Sequence, residues 1–96
     1  MTLSAIFTLD IDGRPIFVFE AKNLRESREL CHEHWLRQDI AGLTSNGAPI
    51  WDGKAQLRAR RSTEDEIAFY REAERDAPQV QGDLLLAYLV ELDVLE

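Results

Sequence analysis

The pair Asp12-Gly13, set between two runs of strand-forming residues, restricts most strongly what this chain can fold into. Residues 5–9 and 16–19 favour extended strands. Asp-Gly is a preferred centre of a two-residue hairpin turn, because both central residues there need a positive φ. The N-terminal part of the chain, residues 3–20, is therefore predicted to be a β-hairpin.

The register of this hairpin is open to two alternatives. A two-residue loop would pair Ile11 with Arg14. A three-residue loop with a glycine bulge pairs Asp10 with Arg14 instead, and places Phe7 opposite Phe17. We favour the second register because it gathers the larger apolar side chains on one face of the sheet. That face would consist of Ala5, Phe7, Leu9, Phe17 and Phe19.

A helix is predicted after the hairpin, beginning at Asn23 and ending near residues 38–40. Asn23 is a favourable N-cap, and Glu26 three residues later is typical of a capping box. At about 100° per residue, one side of this helix is mostly uncharged. Its members are Leu24, Ser27, Cys31, His34, Trp35 and Gln38, with Leu30 at the border. The opposite side is mostly charged, although it includes Leu36.

Residues 41–53 are predicted to form a long loop, because Asn-Gly, Pro and Asp-Gly signals interrupt them. Ile50 and Trp51 are too apolar for an exposed loop, so we expect them to fold back onto the core as a lid or an anchor. The next residues, 54–60, alternate and predict a half-buried strand. Ala55, Leu57 and Ala59 would face one way, and Lys54, Gln56, Arg58 and Arg60 the other.

A second capping box, formed by Thr63 and Glu66, predicts another helix with an acidic first turn. Pro78 would end this helix. Its apolar stripe would be Ile67, Tyr70, Ala73 and Ala77, with Phe69 beside it.

The last apolar run, residues 84–95, is ambiguous, since Leu and Ala favour a helix whereas Tyr and Val favour a strand. Its even positions are uniformly apolar, and its odd positions turn acidic only at Glu91 and Asp93. This pattern favours a central strand that is buried on both faces at its start.

The complete chain, residues 1–96, is then predicted to be a single α+β domain with the element order ββαβαβ. It would contain about four mostly antiparallel strands, with both helices packed on one face of the sheet. If residues 84–95 were a helix, only three strands would remain.

The formal net charge of −7 is unevenly distributed: residues 1–61 carry +1 and residues 62–96 carry −8. Phosphate backbones repel an acidic protein, so no nucleic-acid partner is expected. No run of about twenty apolar residues is present, so no membrane span is expected either. The single cysteine cannot form an internal disulfide, which favours the reducing cytoplasm.

Cys31 and His34 are three residues apart on the predicted helix, where they could contact one ligand or act as a nucleophile and its base. The alternative is a small buried thiol beside a border histidine with one hydrogen bond. A zinc site needs three or four ligands, and no second motif with matching spacing supplies the rest. We therefore expect neither a metal nor another cofactor.

Two further clusters are candidates for binding. The basic row Lys54, Arg58 and Arg60 could bind an anion or an acidic partner. Alternatively, it protects an edge strand or pairs with acidic residues of a neighbouring element. Trp51 could cap a pocket or anchor an interface, or it could plug one end of the core.

These features predict a small non-catalytic protein-interaction or regulatory module. Its partner would be another protein or a second copy of the chain in a homodimer. The alternative is a small-molecule binding protein or an enzyme with a site near Cys31, His34 and Trp51. No catalytic residue is assigned. The candidate binding residues are Cys31, His34, Trp51, Lys54, Arg58 and Arg60.

Overall fold

A four-stranded sheet organises the protein in the computed structural model, which describes residues 5–76 and 85–93. In chain order the elements are β1 (Ala5–Ile11), β2 (Arg14–Ala21), α1 (Leu24–Leu30), α2 (His34–Ala41), β3 (Thr44–Ser45), β4 (Ala48–Pro49), β5 (Leu57–Arg61), α3 (Glu64–Asp76) and β6 (Ala87–Tyr88). The main sheet has the spatial order β5-β1-β2-β6, and all neighbouring strands are antiparallel. The α+β class and the antiparallel four-stranded sheet are confirmed. The element order differs from ββαβαβ, because the first predicted helix is two helices and the predicted loop contains the β3–β4 hairpin.

The turn between β1 and β2 has two residues rather than three. Asp12 and Gly13 adopt φ values of 53° and 87°, and Ile11 lies opposite Arg14. The three-residue loop that we favoured is therefore wrong. Asp tolerates the left-handed conformation, so both turn positions can take the positive φ that a two-residue hairpin turn requires.

A β-bulge keeps the apolar side chains of this hairpin on one face. Leu9 lies opposite Phe17, whereas Asp10 lies opposite Pro15, so Ile16 is an extra residue in β2. Phe7 consequently lies opposite Phe19 rather than Phe17. The predicted face is nevertheless observed, because the five apolar residues belong to one core cluster: Ala5, Phe7, Leu9, Phe17 and Phe19.

Both faces of the sheet are covered, which corrects the prediction that the two helices share one face. The aromatic side of β1 and β2 packs against residues of α1 and α2, including Leu36 and Ile40. On the other side, Ile6 and Val18 form a second cluster with Tyr70 of α3. Since both strands carry apolar residues on both faces, each face needs its own layer of helix.

The first predicted helix is interrupted after Leu30, where three residues separate α1 from α2. Its N-cap is confirmed, since the Asn23 side chain accepts a hydrogen bond from the Glu26 N–H at 2.9 Å. The interruption resets the helical phase, so that Leu36 is fully buried. The predicted inner side of α2 is consequently wrong: His34, Trp35 and Gln38 are exposed.

The end of the chain contributes an edge strand to the described sheet rather than a central one. Only Ala87 and Tyr88 pair with β2. The alternation is confirmed, because Leu85, Ala87 and Leu89 pack on the α3 side, whereas Leu86, Tyr88, Val90 and Leu92 pack on the aromatic side. The predicted positions Leu84 and Val94, the predicted helix end at Ala77 and Pro78, and residues 3–4 of the hairpin lie outside the described residues. No helix within residues 5–76 and 85–93 is long and apolar enough to cross a membrane.

Candidate functional site

A cleft of about 840 Å³ runs beside β5. Its walls come from α1 and the turn after it, from α2, and from the segment that leads from Trp51 into β5. Every residue from Gly53 to Arg61 lines it. Successive side chains of a strand point to opposite faces of the sheet. A cleft that contacts both the odd-numbered and the even-numbered residues therefore follows the edge of the strand rather than one face.

The cleft brings together most of the residues selected from the sequence. Five of the six candidate binding residues line it: Cys31, Trp51, Lys54, Arg58 and Arg60. The sixth, His34, is the exposed first residue of α2 and is outside this lining. Four further Arg and His residues of the lining were not among the candidates: Arg28, His32, Arg37 and Arg61. The sequence carries no local signal for Arg28 and Arg37, since tertiary packing brings their helices beside β5.

Trp51 forms one end of the cleft and also fills the core. It is buried, and its indole Nε1 donates a hydrogen bond to the Ala55 carbonyl at 2.9 Å. The Arg37 guanidinium lies 5.8 Å from the centroid of the indole ring, and Arg37 Nε donates to the Cys31 carbonyl at 2.9 Å. The expectation that Ile50 and Trp51 fold back onto the core is confirmed. Their burial also agrees with the alternative in which Trp51 plugs one end of the core.

A short turn fixes the entry into β5. The Asp52 carboxylate accepts hydrogen bonds from the N–H groups of Ala55 and Lys54, both at 2.7 Å. These two bonds stabilise the ionised form, and they lower the pKa of Asp52 below its ordinary value. The turn directs the chain from Trp51 into the cationic part of the cleft.

Arg60 is the one member of the basic row whose charge is neutralised by described acidic residues. Its guanidinium donates two hydrogen bonds to Glu66, at 2.8 and 2.9 Å, and its Nε lies 3.5 Å from Asp10. Glu66 also accepts hydrogen bonds from the Thr8 hydroxyl at 2.9 Å and from the Thr63 N–H at 2.8 Å. The second capping box is thus confirmed, and Arg60 has the structural role that was one of our alternatives.

The remaining basic side chains give the cleft an unusual charge for this acidic protein. Within residues 5–76 and 85–93, six of the chain's eleven Lys and Arg residues line the cleft, and no Asp or Glu does. Five of the six form no ion pair with any described acidic residue: Arg28, Arg37, Lys54, Arg58 and Arg61. An anionic group in the cleft would therefore meet uncompensated positive charge.

The structure does not assemble a thiol–imidazole pair from Cys31 and His34. Cys31 is 3% exposed and its thiol is 3.9 Å from the Ser27 carbonyl, whereas His34 projects from the start of α2 into solvent. Burial raises the pKa of the Cys31 thiol, although the nearby charge of Arg37 opposes that shift. Among the described residues, no group of three or more His, Cys, Asp or Glu could hold a metal ion.

The buried thiol leads to a simple chemical prediction. Because the thiolate is the reactive form, Cys31 should react with Ellman's reagent at pH 7 at least tenfold more slowly in the folded protein than in urea. The same reagent concentration applied to an unfolded control gives the reference rate. Equal rates in the two states would show that Cys31 is accessible and its thiol unperturbed.

Comparison of the chain with protein-family models, with curated proteins and with solved structures finds no match.

Proposed function

We propose that this protein is an interaction module that binds an acidic segment of a partner protein in the cleft beside β5. One observation carries the proposal: six basic side chains and no described acidic one line this cleft, on a chain whose net charge is −7. Gathering basic residues on one surface of an acidic protein creates local self-repulsion. Binding of a negatively charged partner would relieve that repulsion.

Protection of an edge strand explains only part of this arrangement. Charged side chains on β5 itself discourage unwanted strand pairing, and Arg58 fits that role. Arg28 and Lys54 lie outside the strand and yet line the same cleft. Their convergence with Arg58 and Arg61 supports recognition of an anionic partner in addition to protection.

A protein partner fits this cleft better than a nucleic acid. A single-stranded nucleic acid is normally held by exposed aromatic side chains on which the bases stack. Trp51, the one Phe, Tyr or Trp residue in the described lining, is 8% exposed and already lies beneath Arg37. The acidic charge of the rest of the chain would also repel a long phosphate backbone.

The proposal includes a cytoplasmic location, which the single buried cysteine supports.

The test is a titration with a capped acidic peptide of about ten residues in which Glu and Val alternate. Trp51 serves as the fluorescent reporter after Trp35→Phe removes the second indole. We expect saturable binding that weakens as the salt concentration rises, because mobile ions screen exposed charges. The double variant Lys54→Glu/Arg58→Glu should bind at least about tenfold more weakly.

A matched control separates the cleft from the net charge of the protein. Arg14→Glu/Arg75→Glu changes the total charge by the same amount at exposed positions outside the cleft. It should alter the affinity by less than about threefold. Equal losses in both double variants would contradict the proposal, as would preferential binding of a single-stranded oligonucleotide over the peptide.

A further inference from the structure

The edge of β5 that faces away from β1 has backbone groups available for pairing. β5 is the last strand on its side of the described sheet. In its antiparallel register with β1, Ser62 donates to the Ile6 carbonyl and Asp12 donates to the Gln56 carbonyl, at 3.1 Å each. Antiparallel ladders alternate, so the even-numbered residues of β5 bond to β1. The N–H groups of Leu57, Ala59 and Arg61 consequently point away from β1.

These outward N–H groups have no acceptor among the described side chains. Ala59 stands at the middle of the edge, is 5% exposed, and lines the cleft. A backbone N–H with so little access to water is costly when it has no partner. The N–H groups of Leu57 and Arg61 continue the same row, so that β5 presents a short ladder to the cleft.

We propose that the partner's acidic segment enters the cleft in an extended conformation and adds a strand to the free edge of β5. This inference rests on the proposed function and specifies how the partner binds. The main-chain groups of the partner's segment would pair with Leu57, Ala59 and Arg61, which gives affinity without sequence preference. Its carboxylates would lie beside Arg28, Lys54 and Arg58, which gives preference for an acidic sequence.

The length of the edge limits the length of the segment. β5 contains five residues. At about 3.3 Å per residue, a partner of five or six extended residues covers it completely. Because alternate side chains of an added strand point to opposite sides, the Glu side chains of the alternating Glu-Val peptide all lie on one side, which we expect to be the side of Arg58.

Backbone methylation of the peptide tests strand addition without changing the protein. Two versions of the Glu-Val peptide carry N-methyl groups either on every Glu or on every Val. An added strand directs only alternate N–H groups at β5. We therefore expect one version to bind at least about tenfold more weakly and the other to stay within about threefold of the parent peptide.

Amide hydrogen exchange provides a second readout on the protein itself. On peptide binding, exchange at Leu57 and Ala59 should slow by at least about tenfold. Exchange at Arg58 and Arg60 should change little, because their N–H groups already bond to β1.

The two proposals fail in distinguishable ways. If the parent peptide binds in a charge-dependent manner but both methylated versions bind equally well, strand addition is wrong and the acidic-partner proposal stands. If the parent peptide does not bind, both proposals are wrong. A third outcome is that exchange at Leu57 and Ala59 is already slow without peptide, and that this protection increases with protein concentration as a dimer forms. The edge of β5 is then occupied by a second copy of the chain, and the inference of a separate partner is overturned.

Discussion

Replacing Phe17 by alanine is expected to lower the free energy of unfolding by about 4 kcal/mol. Phe17 is fully buried at the centre of the aromatic side of the sheet. Its ring centroid lies 5.7 Å from that of Phe19 and 5.4 Å from that of Tyr88, so it joins the N-terminal hairpin to β6. Alanine would leave a cavity lined by both rings. Urea unfolding, followed by tryptophan fluorescence, measures the loss.

Two further variants keep this prediction testable. A loss of this size is a large part of the stability of a small domain, so Phe17→Ala could prevent folding. Phe17→Leu retains most of the volume and should cost about 1.5 kcal/mol. Phe69→Ala is the control, because Phe69 is 39% exposed on α3 and its loss should cost less than about 1 kcal/mol. Similar costs at positions 17 and 69 would show that the aromatic cluster is not the main core.

Glu66 is expected to make the stability of the protein depend on pH in the acidic range. Its hydrogen bonds to Arg60, supported by those from Thr63 and Thr8, lower the pKa of Glu66 from its ordinary 4.5 to about 2. The folded state therefore favours the ionised carboxylate. Its contribution is fully present above pH 4.5 and is lost as the pH falls towards 2. Allowing for the partial exposure of Arg60, this contribution is about 2 kcal/mol.

Comparison with Glu66→Gln isolates that contribution. The amide has the shape of the carboxylic acid but cannot carry the charge. Urea unfolding at pH 7 should show the variant to be about 2 kcal/mol less stable, and the difference should shrink as the pH is lowered towards 2. Glu72→Gln, at an exposed position of the same helix, should stay within about 0.5 kcal/mol of the parent at both pH values. A stability gap that stays constant across this range would contradict the role given to Glu66.

Signals between close neighbours in the sequence predicted the local structure well. The Asp12-Gly13 turn, the Asn23 cap and the Thr63–Glu66 capping box all depend on residues at most three positions apart. The alternation in residues 84–95 likewise indicated a strand, although in the described part of the chain only Ala87 and Tyr88 form one, at the edge of the sheet. In each case the hydrogen bond or the periodicity is contained within the segment that forms it.

The register of the hairpin and the phase of the helices were not available from such signals. The bulge at Ile16 and the interruption between α1 and α2 each shift the chain by a few residues. The bulge and the interruption both turn apolar side chains towards a core, and the other residues of that core are distant in sequence. For that reason Leu36 was assigned to the charged side of a continuous helix, although it is fully buried.

For the candidate site too, local sequence predicted some features and only tertiary packing decided the others. Lys54, Arg58 and Arg60 could be selected from the sequence, because one alternating segment carries all three. Their separate roles could not be predicted from the sequence, since Glu66 and Asp10 neutralise Arg60 through contacts that connect β5 with α3 and β1. Local hydrogen bonding and periodicity set the turns, caps and strands of this chain. The cationic cleft exists only after the sheet and helices have packed, because its positive charges come from three separate segments: α1, α2 and residues 54–61. Electrostatic interactions depend on the distance between charges in space and not on their separation along the sequence.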